Sequence, residues 1–118
     1  MDHEMSGIST HVLDTARGKP ASGVPVRLER QNSSGKWVLV ASAQTDQDGR
    51  CSQLLPENAT LKAGAHRLTF DIATYFAACD VEGLYTVVEI TFQVRSGESR
   101  LHIPLLLSPN CYTTYRGS

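Results

Sequence analysis

The chain has 118 residues, 41% hydrophobic and 19% charged, which suits a single soluble globular domain and is too apolar for a disordered one. With 11 basic and 12 acidic side chains the net charge is −1, and no basic block with interleaved aromatics is present to follow a nucleic acid or an anionic membrane. Residues 1–7 hold no apolar core of the length a secretory signal requires, and the longest uninterrupted apolar stretch, 103–107, is far too short to span a bilayer.

After an N-terminus expected to be flexible over 1–7, one domain is expected over 8–118. Residues 8–13 alternate, predicting a strand with Ile8, Thr10 and Val12 on one face and Ser9, His11 and Leu13 on the other. Residues 14–23, with Gly18, Pro20 and Gly23, read as a turn-rich connection. In 24–29, Val24, Val26 and Leu28 alternate with Pro25, Arg27 and Glu29. That is a half-buried strand whose proline argues for a strand start or a sheet edge. A polar hairpin loop around Ser34-Gly35 leads into a strand over 37–45, and Asp46-Gln47-Asp48-Gly49 is a strong turn signal. Residues 50–55 are ambiguous, closed by Pro56, and 59–64 are turn-like. Residues 66–72 give another strand, with Leu68, Phe70 and Ile72 on one side.

The one helical candidate is 73–81, Ala-rich, unbranched and too short to stand without packing. Residues 86–94 alternate cleanly with Val88, Ile90, Phe92 and Val94 together; a turn over 96–99 then leads to a final strand over 100–107. Seven or eight short strands with regular turns and one stray helical turn predict an all-β antiparallel sandwich. Apolar and β-branched residues fall on both strand faces at 86–88 and 105–107, so pairing with further copies is expected.

Chemistry-bearing residues are few. His11 and His102 each sit in mid-strand, where a lone histidine is more often a hydrogen-bonded structural residue. If Leu101, Ile103 and Leu105 fill the core, alternation sends His102 outward, and the same alternation can send His11 outward with Ser9 and Leu13. Two outward imidazoles gain interest once an oligomer interface encloses them. Arg50, following the 46–49 turn, reads by itself as a solvated cation, and His3 and His66 as background. Cys51, Cys79 and Cys111 show no metal-type or redox-type spacing, and three free thiols fit a reducing compartment. A C-terminal tail is normally the least ordered part of a domain. This one follows an apolar run directly and carries a compact polar set: Tyr115, Arg116, Gly117 and Ser118.

Four ordered segments resemble the 5-hydroxyisourate hydrolases, the enzymatic relatives of transthyretin. Ile8-Ser9-Thr10-His11-Val12-Leu13-Asp14 resembles the family's S-T-H-V-L-D opening, and Thr45-Asp46-Gln47-Asp48-Gly49-Arg50 its T-N-x-D-G-R segment. Leu101 to Pro109 resembles its x-H-V-P-L-L-L-S-P strand, and Tyr115-Arg116-Gly117-Ser118 its Y-R-G-S end without change. Thr86 stands where the family usually has proline, Asn110-Cys111 replaces a bulkier pair, and Asp46 replaces the more usual Asn.

The resemblance implies a transthyretin-like sandwich of two four-stranded sheets with one short helix, assembled as a homotetramer with its sites at the dimer–dimer interface. It implies hydrolysis of 5-hydroxyisourate to 2-oxo-4-hydroxy-4-carboxy-5-ureidoimidazoline, in urate degradation. His11 and His102 would be the general base and its partner, Arg50 would stabilise the oxyanion with Ser118 alongside, and Tyr115, Arg116 and Gly117 would bind substrate. No metal or cofactor is expected, since two histidines on separate strands without a carboxylate or cysteine at ligand spacing make a poor zinc site. The expected partners are the small-molecule substrate and further copies of the chain, with no nucleic acid and no membrane; the expected location is the cytoplasm, with the peroxisome as alternative. Two other readings compete: a transthyretin-like hormone carrier without catalysis, whose channel should be lined by small or apolar groups, and a plain interaction module.

Overall fold

A computed structural model of the chain describes residues 7–56 and 59–118. The expected loose N-terminus and His3 lie outside the described residues, apart from Gly7, which opens the first strand. Two sheets face each other. One is built on β1 (Gly7–Asp14) and β8 (Arg100–Leu107), flanked by β9 (Tyr112–Thr114) and by two short strands, β2 (Lys19–Pro20) and β5 (Arg50–Cys51). The other runs in the order β4 (Trp37–Gln44), β3 (Pro25–Gln31), β6 (Gly64–Asp71), β7 (Val87–Val94), with one helix, α1 (Ile72–Ala78), between its last two strands.

The sandwich and, among the described residues, its single helix are as expected, with two differences of detail. The first sheet has five strands, because β2 and β5 both bond to β1, β2 at its C-terminal end and β5 at Thr10 and His11 in its middle. Its central pair is also parallel: Gly7 to Asp14 run alongside Arg100 to Leu107 in one unbroken register. A parallel neighbour needs a long crossover, and here the whole second sheet is the crossover. Nothing in either strand's own pattern announces that direction.

Strict alternation does set the faces. In β1, Ile8, Thr10, Val12 and Asp14 are buried while Gly7, Ser9, His11 and Leu13 are half-exposed. In β8, Leu101, Ile103, Leu105 and Leu107 are buried, and the last three share one core cluster with Val26, Leu28, Leu68, Phe70 and Val88 of the facing sheet. Truncating any one of these to Ala costs about 2–5 kcal/mol, so the core alone commits both strands to their register.

Helix α1 starts on Asp71, whose carboxylate accepts from the Thr74 N–H at 3.1 Å and the Thr74 hydroxyl at 2.7 Å. It buries Ile72, Tyr75 and Phe76 and stops where Asp80 turns left-handed (φ 58°), three residues short of the sequence expectation. Beneath it Tyr75 donates to the buried Asp14 carboxylate at 2.7 Å, and the Arg17 N–H caps the other oxygen at 3.0 Å.

Candidate active site

Outward residues of β1, β5 and β8 form one polar surface. Parallel register sets Ser9 opposite His102 and His11 opposite Pro104, and antiparallel β5 sets Arg50 opposite His11. The chain beyond β8 folds back along the same strand. β9 pairs Leu105 with Thr114, and a single bridge joins His102 to Gly117, whose N–H donates to the His102 carbonyl at 2.8 Å. The ladder lapses between them because Pro104 has no N–H to give where Tyr115 comes opposite it. Thr114 Oγ1 makes up part of the loss by bonding the Pro104 carbonyl at 2.8 Å.

The 46–49 turn that delivers Arg50 is held from several directions. Buried Thr45 donates its hydroxyl to the Ala21 carbonyl at 2.7 Å and accepts the Val24 N–H at 2.9 Å. The Asp46 carboxylate accepts from the Asp48 and Arg50 N–H groups, both at 2.9 Å, and those bonds, led by Arg50's, hold its pKa below the ordinary carboxylate range. Gly49 has φ 77°, and a Cβ there would collide with the Val12 carbonyl, so the turn can lie flat on β1 only with glycine.

The turn also fixes His11. Its Nε2 lies 2.9 Å from the Asp48 carbonyl, which can only accept, so Nε2 carries the proton and Nδ1 is the free nitrogen of the neutral ring. His102 is fixed differently: its Nδ1 lies 2.8 Å from Ser9 Oγ. Partial burial, then the nearby His11 and Arg50 charges, lower its pKa, with a hydrogen bond to the Ser9 backbone pulling the other way. The balance keeps His102 neutral under conditions where an ordinary histidine begins to charge.

A cleft of about 720 Å³ opens over this surface, lined by Ser9, Ser52, Arg100, His102, Gly117 and Ser118 among others. An adjoining hollow of about 280 Å³ shares Ser9, Ser52, Arg100, His102 and Ser118 and adds Arg50. Of the expected site residues, His102, Arg50, Gly117 and Ser118 therefore meet in one place. His11 lines neither hollow within a single chain, although it lies directly across from Arg50.

The rest of the tail is divided. Arg116 borders the larger cleft, but its guanidinium is tied to Glu98 at 2.6 Å. Tyr115 is half exposed and lines a separate hollow with Ile90, Phe92, Leu101 and Ile103. Ser9, Ser52 and Arg100 are additions that sequence reasoning missed. Ser9 and Arg100 were detectable, since each lies two residues from a site histidine on the same strand face; Ser52, beyond a two-residue strand, carried no signal. The background histidine His66 is buried, stacks on Phe92 at 5.9 Å and donates to the Gly64 carbonyl at 3.2 Å.

The two-sheet sandwich carries a polar, arginine- and histidine-lined cleft on one outer face, and its architecture is of the transthyretin type. The chain belongs to the HIUase/Transthyretin family, whose model matches residues 8–117. It is 42% identical to the 5-hydroxyisourate hydrolase of Mus musculus over the full length of both chains. It is 46% identical to that of Deinococcus radiodurans, covering 95% of this chain and 96% of the relative. The structure superposes on the 5-hydroxyisourate hydrolase of Klebsiella pneumoniae with a TM-score of 0.83 at 37% identity, covering 97% of this chain and 100% of the other. It also superposes on sea bream transthyretin in complex with thyroxine, with a TM-score of 0.86 at 29% identity and 93% of each chain covered.

Proposed function

We propose that this chain is a hydrolase that opens the six-membered ring of 5-hydroxyisourate in urate degradation, without a metal, by histidine-assisted attack of water. The observation that carries the reading is the convergence of His102, Arg50 and Ser118 on one polar cleft, in a chain more than two-fifths identical to proteins of that name. Water adds to the electrophilic ring carbonyl and gives up a proton to a neutral imidazole, whose depressed pKa keeps it available as a base. Arg50 stabilises the oxyanion that develops on that carbonyl, through charge-assisted hydrogen bonds. The C–N bond then breaks, and the proton passes to the departing ring nitrogen. His11, oriented by the Asp48 carbonyl, serves as partner to His102, and Ser118 supplies a hydroxyl contact to substrate or water. Tyr115, Arg116 and Gly117 shape the tail that closes the cleft.

The assembly we propose is a homotetramer with the cleft enclosed at the dimer–dimer interface. Among the described residues, strands β7 and β9 are each paired on one side only, and exposed Leu84, Tyr85, Val87 and Tyr112 lie on or beside them, Tyr85 and Tyr112 in an edge-to-face contact at 5.4 Å. Closure by a second dimer would bring His11 of one chain toward the same space as His102. We also place the protein in the cytoplasm, in keeping with its three unpaired thiols.

The test is an ultraviolet time course of 5-hydroxyisourate, generated in place from urate by urate oxidase. The hydrolase reading expects faster decay with the protein and loss of that effect in His102→Ala. An unchanged trace from a folded tetramer would overturn it and favour a carrier.

A further inference from the structure

His102 is gripped along both edges of its ring. Ser9 Oγ stands 2.8 Å from Nδ1, and the Gly117 backbone lies so close to the opposite edge that a Cβ there would come within 2.6 Å of Cδ2. Nε2 is left as the ring nitrogen without a protein partner among the described residues. A serine hydroxyl can either donate or accept, and the choice decides what His102 can do. If Ser9 donates to Nδ1, the neutral ring carries its proton on Nε2 and offers the cleft a donor. If Ser9 accepts from Nδ1–H, Nε2 presents a lone pair.

The surroundings favour the second arrangement. His11 and Arg50 face the ring from β1 and β5, Arg100 flanks it on β8, and Arg116 of the tail is neutralised by Glu98, so the ring stays neutral. A hydrogen bond from the ring to the Ser9 backbone raises its pKa, the sign of an imidazole that donates toward β1, and the Ser9 hydroxyl at 2.8 Å from Nδ1 lies on the same residue.

We propose that Ser9 is a positioning residue: by accepting the Nδ1–H of His102 it selects the tautomer whose unprotonated Nε2 faces the cleft as the proton acceptor. The two site histidines are then wired in opposite senses, His102 presenting Nε2 and His11 presenting Nδ1. In the hydrolytic step the water proton goes to Nε2 as the new C–O bond forms, Nδ1–H stays on Ser9, and the Nε2 proton leaves with the ring nitrogen when the C–N bond breaks. The kinetic part of this inference rests on the hydrolase reading; the tautomer does not.

The experiment pairs nitrogen NMR of histidine-labelled protein with turnover of Ser9→Ala and Ser9→Thr. In the unsubstituted protein, above the titration of His102, Nδ1 should be protonated and Nε2 bare. Ser9→Ala should lose that preference, lower kcat about tenfold with KM unchanged, and move the acid limb of the pH–rate profile to lower pH; Ser9→Thr should restore all three. A bare Nδ1 in the unsubstituted protein overturns the proposal, as does a Ser9→Ala variant with normal tautomer and kcat. Absence of any activity toward 5-hydroxyisourate would defeat the hydrolase reading, while the NMR result would still decide the role of Ser9.

Discussion

Gly117→Ala is the sharpest test of the idea that the tail forms a working wall of the cleft. The added Cβ would lie 2.6 Å from His102 Cδ2, 3.3 Å from His102 Cγ and 3.3 Å from Pro104 Cγ. Two carbons rest at about 3.5–4.0 Å, so the first contact is roughly 1 Å too short and something must move. Over-packing of this kind costs about 1–3 kcal/mol. Beyond Thr114 the tail is held by the Gly117 N–H to the His102 carbonyl at 2.8 Å and by the Arg116–Glu98 pair. The first contributes about 0.5–1.5 kcal/mol, and the ion pair, with its arginine largely exposed, about 0–1 kcal/mol.

Strain and restraint are therefore of the same size, and the strain is relieved locally: residues 116–118 lift off β8, or the His102 ring swings away from Ser9. Neither touches the core between the sheets, so Tm should fall by only a few degrees. Either movement disperses His102 and Ser118. A positioned acid–base group contributes about 10²–10⁴-fold, so kcat/KM should drop at least 100-fold. The assay is the same decay of 5-hydroxyisourate beside a thermal melt of each protein. Undiminished turnover would refute the reasoning, and a Tm loss beyond about 10 °C would show that the tail belongs to the folding core.

Other expectations follow from neighbouring contacts. Tyr75→Phe removes the phenol donor from buried Asp14 and should cost about 1.5–3 kcal/mol, read as a Tm drop of roughly 5–10 °C with turnover at low temperature unchanged. His66 and His102 both have folded pKa values below the ordinary histidine value of 6.5, first because of burial. The unfolded chain thus binds more protons once pH falls below about 6.5, and stability should decline from there down through the folded pKa values. His66→Phe should flatten that decline in pH-dependent melts while leaving the acid limb of kcat/KM, set by His102, below 6.5. Asp46→Asn keeps an oxygen for the Asp48 and Arg50 N–H groups and should turn over almost normally, whereas Asp46→Ala frees the loop carrying the His11 acceptor and should lose about tenfold in kcat/KM.

The strands and their inward faces were legible because period-two patterning is written locally: Ile8, Thr10 and Val12 could only share a side. The same rule sent His102 outward once Leu101, Ile103 and Leu105 were given to the core. Cross-strand partnership was not legible. Ser9 is 93 positions from the ring it holds and Asp48 is 37 from His11, and no local pattern states that β1 and β8 run parallel or which residues stand opposite. The tail shows the limit most clearly. Its residue types suggested one catalytic group, yet antiparallel register against β8 turns Gly117 onto His102 and leaves Arg116 bound to Glu98.

That division between core and outer face also explains how one sandwich can serve chemically different ends. Everything that commits β1 and β8 to their register lies inward, in Ile8, Val12, Leu105 and Leu107, all fully buried. The outward residues contribute almost nothing to that core and are free to vary without unfolding the chain. Here they grade along the strands, from Leu13 opposite Leu106 at one end to Ser9 opposite His102 and Gly7 opposite Arg100 at the other. A carrier of apolar ligands would need the apolar end extended across the whole face. In this chain the polar end is where the cleft opens, and there each site imidazole has one ring nitrogen occupied by a neighbour, Ser9 or the Asp48 carbonyl, and the other left open. The water attack proposed above uses that open nitrogen as its proton acceptor.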